Sequence, residues 1–203
     1  MPILAINTAA AACDLAIVDD DRVLAEWRED MARGQDARLP GAVQDMLAGA
    51  GLGLADIDRI GVVCGPGSFT GVRIGVAFAR GLSLTLGIDC VGVSSLEASL
   101  PEGTEAPHRV ALIARRRPPD ISFWTQDIAG LKALGPPEER ARDAVAGKLP
   151  VLTDRPDLIE AAGTCAPSAA IAGLRAARLS PGTHPARPLY VREPDADLPA
   201  GRR

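Results

Sequence analysis

The chain has 203 residues, room for one large or two small domains at roughly 100–200 residues each. Its hydrophobic share is 47% with only 3% aromatic residues, so packing must rest on small and branched side chains. Lys plus Arg total 22 against 26 Asp plus Glu, a formal charge of -4 that offers no global basic footprint and argues against tight RNA binding by this chain alone.

The N-terminal run Met1-Pro2-Ile3-Leu4-Ala5-Ile6-Asn7 lacks the basic start and long apolar stretch of a signal peptide, so no export and a cytoplasmic location are expected. Apolar blocks at 3–6, 13–18 and 22–27, separated by turn residues such as Asp19-Asp20-Asp21, predict three antiparallel strands. Leu39, Val43, Met46, Leu47 and Ala50 then follow the three-and-four spacing of one helical face, ended by Gly51.

A strand at 60–64 leads into Gly65-Pro66-Gly67-Ser68-Phe69-Thr70-Gly71, a helix over 72–86 ended by Gly87, and a strand at 91–93. Ser94 and Glu97 have the spacing of a capping box for a short helix through Leu100. The turn-rich stretch 101–107 reads as a linker and places the boundary between two halves. Beyond it the pattern predicts strands at 110–114 and 121–125, a polar helix at 138–146, a strand at 151–153, a helix from Ser168 through Leu179 and a last short strand at 188–192.

The mostly apolar stretch 72–86 carries Arg73 and Arg80 and is shorter than the roughly 20 residues that cross a bilayer, so no membrane role is expected. Cys13, Cys64, Cys90 and Cys165 lack the paired spacing of a zinc site and read as reduced thiols. His108 and His184 stand singly and read as solvated loop residues, so no metal is expected.

The glycine loop suits a tight turn whose backbone N–H groups face a helix N-terminus, a generic holder of phosphate or carboxylate. No Lys-Ser or Lys-Thr pair follows the glycines, which excludes a P-loop, and the Gly-x-Gly-x-x-x-Gly spacing is not a dinucleotide fingerprint. In the helix beyond, Gly71, Gly75, Ala79, Ser83 and Gly87 recur every four residues as a flat ridge. The ridge suits close approach by another helix or by the chain's own sheet, and spacing alone leaves both open.

Four blocks occur in order: Ile3-Leu4-Ala5-Ile6-Asn7-Thr8-Ala9, residues 65–75, Val91-Gly92-Val93-Ser94-Ser95-Leu96-Glu97-Ala98 and Pro188-Leu189-Tyr190-Val191-Arg192. With them the chain resembles the TsaB (YeaZ) family over most of its length. The resemblance implies an α/β fold of the actin-like ATPase (ASKHA, ribonuclease H-like) type with two related lobes. Here these would be residues 1–100 and a reduced lobe at 101–192, with a flexible tail at 193–203.

It also implies a non-catalytic subunit, with no catalytic residues of its own, that binds and activates the transferase TsaD in making N6-threonylcarbamoyladenosine beside the anticodon of tRNAs. The ATPase TsaE joins that pair, and tRNA is met through the complex. In the family, the two helices corresponding to 36–50 and 72–86 contact TsaD, or a second copy in a homodimer. The implied contact residues are Leu39, Val43, Met46, Leu47, Gly71, Val72, Gly75, Val76, Ala79 and Ser83.

Asn7 stands where most relatives carry Asp, and residues 34–38 lack the histidine pair with which TsaD-type enzymes hold metal. Asn7, Gly65, Gly67, Ser68 and Thr70 would form a vestigial phosphate or nucleotide loop, with ATP or ADP binding in the assembled complex left open. The alternatives are a nucleotide-binding enzyme of the same superfamily and a glycoprotease-like peptidase; Ser68 and Ser94 have no histidine nearby in sequence. Arg115-Arg116-Arg117 departs from the family's turn and reads as a solvated turn, with contact to tRNA phosphates as the second option.

Overall fold

Two β-sheets face each other across a cleft in the computed structural model, which describes residues 1–115 and 118–191. The first sheet begins with the hairpin pair β1 (Pro2–Asn7) and β2 (Ala12–Asp19), continued antiparallel by β3 (Arg22–Asp30). β4 (Arg59–Val63) and β5 (Asp89–Val93) add in parallel, giving the order β3-β2-β1-β4-β5. Burial of both faces accounts for the near-continuous apolar runs of β1 and β2, because helices cover this sheet on each side.

α1 (Gln35–Gly49) and α2 (Phe69–Leu86) pack side by side on one face. α3 (Ala169–Ala176) takes the other face, across β1, β2 and β4, although it comes from the end of the chain. Two glycines allow that approach. A Cβ on Gly61 of β4 would lie 2.9 Å from the Ala176 methyl, and one on Gly173 of α3 would lie 2.9 Å from a Val18 methyl. α3 is launched by Ser168, whose Oγ accepts from the Ala170 N–H at 3.1 Å.

The second sheet runs β11 (Gly163–Thr164), β10 (Val151–Thr153), β6 (His108–Arg115), β7 (Ser122–Ala129) and β8 (Lys132–Ala133), with β9 (Glu138–Ala141) also on β7. Leu96 and Leu100 pack on one of its faces with Val110, Leu112 and Ile128, while Ala111, Ile113 and Phe123 meet Val145 on the other. α3 links the sheets through Arg175, whose Nη2 donates to the Gly130 carbonyl after β7 at 2.9 Å.

Several expectations need correction. Residues 138–141 form a strand on β7, not a polar helix, because pairing with Ser122–Thr125 overrides the favourable helical preference of Glu-Glu-Arg-Ala; a 3-10 turn follows at Arg142–Ala144. α2 begins at Phe69, three residues earlier than expected, since Ser68 is its N-cap. Ser94 and Glu97 do exchange the two capping hydrogen bonds, at 3.0 and 3.1 Å, yet only the 3-10 turn Glu97–Ser99 follows. No strand forms at 188–191; instead the Leu189 N–H donates to the Cys64 carbonyl at 2.8 Å, and Arg192 and the tail at 193–203 lie outside the described residues.

Gly61→Val should therefore cost about 1–3 kcal/mol of unfolding free energy by forcing α3 off the sheet. A urea melt followed by far-ultraviolet circular dichroism measures it.

Candidate partner-binding site and interlobe cleft

The glycine loop closes on the chain itself. The Ser68 N–H donates to the Ala9 carbonyl at 2.7 Å, and the Gly71 N–H to Ser68 Oγ at 3.2 Å. The Thr8 hydroxyl donates to the Gly71 carbonyl at 2.7 Å. A methyl group on Gly67 would strike the Ala9 carbonyl, on Gly71 the Thr8 carbonyl, and on Gly75 the Thr8 hydroxyl. Two donors that would face an anion in a phosphate cradle, the Ser68 and Gly71 N–H groups, are thus spent on Ala9 and Ser68, and Thr70 is exposed on the first turn of α2.

Asn7 is buried and fully used. Its Nδ2 donates to Asp14 Oδ2 at 3.1 Å and to the Pro167 carbonyl at 3.0 Å, while Oδ1 accepts from the Ala9 N–H at 3.1 Å. Two acceptors around one nitrogen fix the amide's orientation. Asp14 Oδ2 also accepts from the Ala169 N–H at 2.9 Å, placing the carboxylate at the start of α3. Burial raises the Asp14 carboxyl above its ordinary 3.8, opposed by the Ala169 and Asn7 hydrogen bonds and by Arg28.

The small-residue ridge does not face outward. Gly71, Val72, Gly75, Val76 and Ala79 are buried against the chain's own β1 and β4, as are Leu39, Val43, Met46 and Leu47 of α1 against the hairpin and α2; Ser83 is half-buried, its hydroxyl donating to the Ile88 carbonyl at 2.6 Å. These positions, expected from the family to contact a partner, form the stripe that seats each helix on its sheet, with Ser83 at its edge. The outer faces carry other small residues, Ala37 and Ala48 on α1 and Ala77 and Gly81 on α2. Leu84 stands out on α2 with 86% of its surface exposed.

A sequence profile described as tRNA N6-adenosine threonylcarbamoyltransferase (TsaD) matches residues 29–117. An uncharacterized protein of Mycobacterium tuberculosis is 37% identical over 200 residues, covering 96% of this chain and 93% of its own. The tRNA threonylcarbamoyladenosine biosynthesis protein TsaB of Escherichia coli is 45% identical over 96 residues, 47% of this chain and 41% of that protein. The chain belongs to the TsaB (YeaZ) family. A solved structure of YeaZ from Pseudomonas aeruginosa superposes with a TM-score of 0.74 at 23% identity, covering 93% of this chain and 99% of that one. The fold is the two-sheet, actin-like α/β fold.

In this TsaB-family chain the cleft between the sheets measures about 410 Å³. Ala9, Ala10, Ala11, Pro66, Leu112 and Trp124 dominate its walls, and the charged member among the described residues is Asp154, whose Oδ1 accepts from the Ile113 N–H at 2.9 Å. Such a wall provides apolar surface and a carboxylate where the phosphates of a nucleotide would need cations. Of the arginine turn, Arg115 is described, 3.5 Å from Glu139; Arg116 and Arg117 lie outside the described residues.

Each histidine makes a local contact, His184 Nδ1 meeting the Thr183 hydroxyl at 2.9 Å. His108 Nδ1 meets the Ala106 carbonyl at 2.9 Å. His184 Nε2 faces Glu97 Oε1 at 4.0 Å in a small hollow that Ser94 and Cys64 also line, but Ser94 Oγ is engaged as acceptor for the Glu97 N–H. Burial pushes the thiols up, to about 11 at Cys13 and Cys90 and about 12 at Cys64 and Cys165, so each is a protonated thiol at neutral pH. The sequence assigns Trp124 and Tyr190 no site role, and Leu84, an apolar residue flanking the ridge and so expected to be buried, stands exposed instead.

Asn7→Asp would set two carboxylates side by side at the start of α3. The variant should lose about 2 kcal/mol at pH 7. The pair would then hold one proton to a pH above the unfolded range near 4, so stability lost at neutral pH returns as pH falls through that titration. Urea melts of both proteins at pH 7 and pH 4.5 read this as a gap that narrows on acidification.

Proposed function

We propose that this chain is a non-catalytic subunit that binds and activates a TsaD-type transferase in making N6-threonylcarbamoyladenosine in tRNA. The observation that carries the reading is the outer surface of α1 and α2, where Leu84 projects from a largely polar face, with Arg73, Arg80 and Thr85, that also carries the small residues Ala77 and Gly81. Helices with short outward side chains let a partner's helices come close, and one exposed leucine supplies an anchor whose burial stabilises the contact by about 1.5–3 kcal/mol.

Support for a non-catalytic role comes from the cleft. Asn7 is locked to Asp14 and Pro167, the Ser68 and Gly71 N–H groups of the glycine loop are engaged, and Asp154 lines the wall. A chain so arranged contributes by shaping its partner, with TsaE and tRNA meeting the assembled complex. The family's homodimer would use the same surface, so the transferase and a second copy would compete for it. In this reading the N-terminal lobe spans 1–100 and the second lobe 101–192, the latter lending α3 to the first.

Leu84→Glu should weaken binding to the family's transferase by at least about tenfold while changing stability by no more than about 0.5 kcal/mol. Ala79→Arg, by contrast, should unfold the chain, because position 79 lies in its core. Gel filtration of the mixed proteins at micromolar concentration, beside a thermal melt of each variant, checks both; undiminished co-elution of the Leu84→Glu variant would remove this surface from the interface.

A further inference from the structure

We propose that Phe69, Arg73 and Tyr190 form a second docking point, which takes a segment of a partner protein carrying a carboxylate next to an apolar side chain. Arg73 Nε donates to the Tyr190 hydroxyl at 2.9 Å, and its guanidinium carbon lies 3.8 Å from the Phe69 ring centre. The two rings sit 5.5 Å apart, tilted by 34°. Stacked below and held at Nε, this guanidinium is already ordered, and its two Nη groups have no hydrogen-bond partner among the described residues. A planar fork fixed in this way fits a carboxylate bidentately with little further loss of side-chain freedom.

Beside the fork is a hollow of about 120 Å³ walled by Pro66, Val72, Trp124 and Leu189 together with the two rings. Its size and lining suit one aliphatic side chain. Phe69 and Tyr190 stay 41% and 43% exposed in a chain with very few aromatic residues. Arginine, tyrosine and tryptophan around a small apolar pocket is the composition that dominates binding energy at protein interfaces. Three separate stretches, the start of α2, β7 of the second sheet and the segment after α3, converge to make it.

Charge selects the partner class. One free guanidinium on a chain of formal charge -4 gives too little attraction for a nucleic-acid backbone, which needs several cations, but it suffices for a single carboxylate. The site stands apart from Leu84: fifteen residues of helix separate it from Phe69, about 22 Å along α2. It therefore does not rest on the transferase reading.

The test uses the full chain and synthetic hexapeptides that pair Leu, Met, Phe or Pro with Asp or Glu, each matched by its Asn or Gln counterpart. Binding is followed through the NMR signals of the Arg73 Nε–H and the Trp124 indole N–H. Acidic members should bind at least about tenfold tighter than their amide counterparts, shifting both signals, and Arg73→Gln or Phe69→Ala should abolish the discrimination while Leu84→Glu leaves it intact. Should Phe69→Ala fail to fold, Arg73→Lys keeps the charge, removes the fork and should lose most of the preference. Equal binding of acid and amide peptides, or none, overturns the proposal. So does a uridine hexanucleotide that shifts both signals where acidic peptides do not, or peptide binding that emerges only after deletion of residues 192–203.

Discussion

Gly67, Gly71 and Gly75 lie against Thr8 and Ala9 with no room for one methyl group, and this contact fixes where α2 runs. The Thr8 hydroxyl bonded to the Gly71 carbonyl pins the helix start, and Ser68 caps it from the loop side. Once α2 is seated on β1 at that depth, Val72, Val76 and Ala79 fall into the core. Phe69 and Arg73 then emerge at one end of the exposed face and Leu84 at the other. Exposed side chains are thus placed by residues that have no side chain at all.

The same contact changes the chemistry of the cleft. A loop with three glycines at a helix start is suited to hold an anion, but here two of its donors, the Ser68 and Gly71 N–H groups, turn onto Ala9 and Ser68. Asn7 acts similarly on the neighbouring strand. An amide can donate to Asp14 and Pro167 together, which a carboxylate at that position could not do without a shared proton. Asn7, Asp14 and the start of α3 therefore form a tie across the first sheet, and a chain held shut in this way is suited to being recognised by others.

Much of this arrangement was legible in the sequence because it is local. The alternation of 3–6, 13–18 and 22–27 gave the hairpin and its third strand, and the capping bonds between Ser94 and Glu97 follow from a three-residue spacing. The direction of α2's faces was not legible, since Gly71-Gly75-Ala79 and Ala77-Gly81 are both small-residue rows and only the position of Thr8 decides between them. The strand at Glu138–Ala141 depends on an open edge of β7, and α3 crosses back to the first sheet through Gly61 and Gly173, contacts far apart in sequence. The aromatic cluster was hidden for the same reason, its members being drawn from residues 69, 124 and 190.

If the outer face of α1 and α2 is what a TsaD-type transferase grips, its amides must be shielded in the complex and free outside it. Hydrogen–deuterium exchange of the chain alone and with saturating transferase tests this most directly. The account predicts slowed exchange along Gln35–Gly49 and Phe69–Leu86, strongest around Ala77 and Leu84, with the second sheet unchanged. Protection confined to β6, β7 and β10, with both helices exchanging as in the free chain, would contradict it.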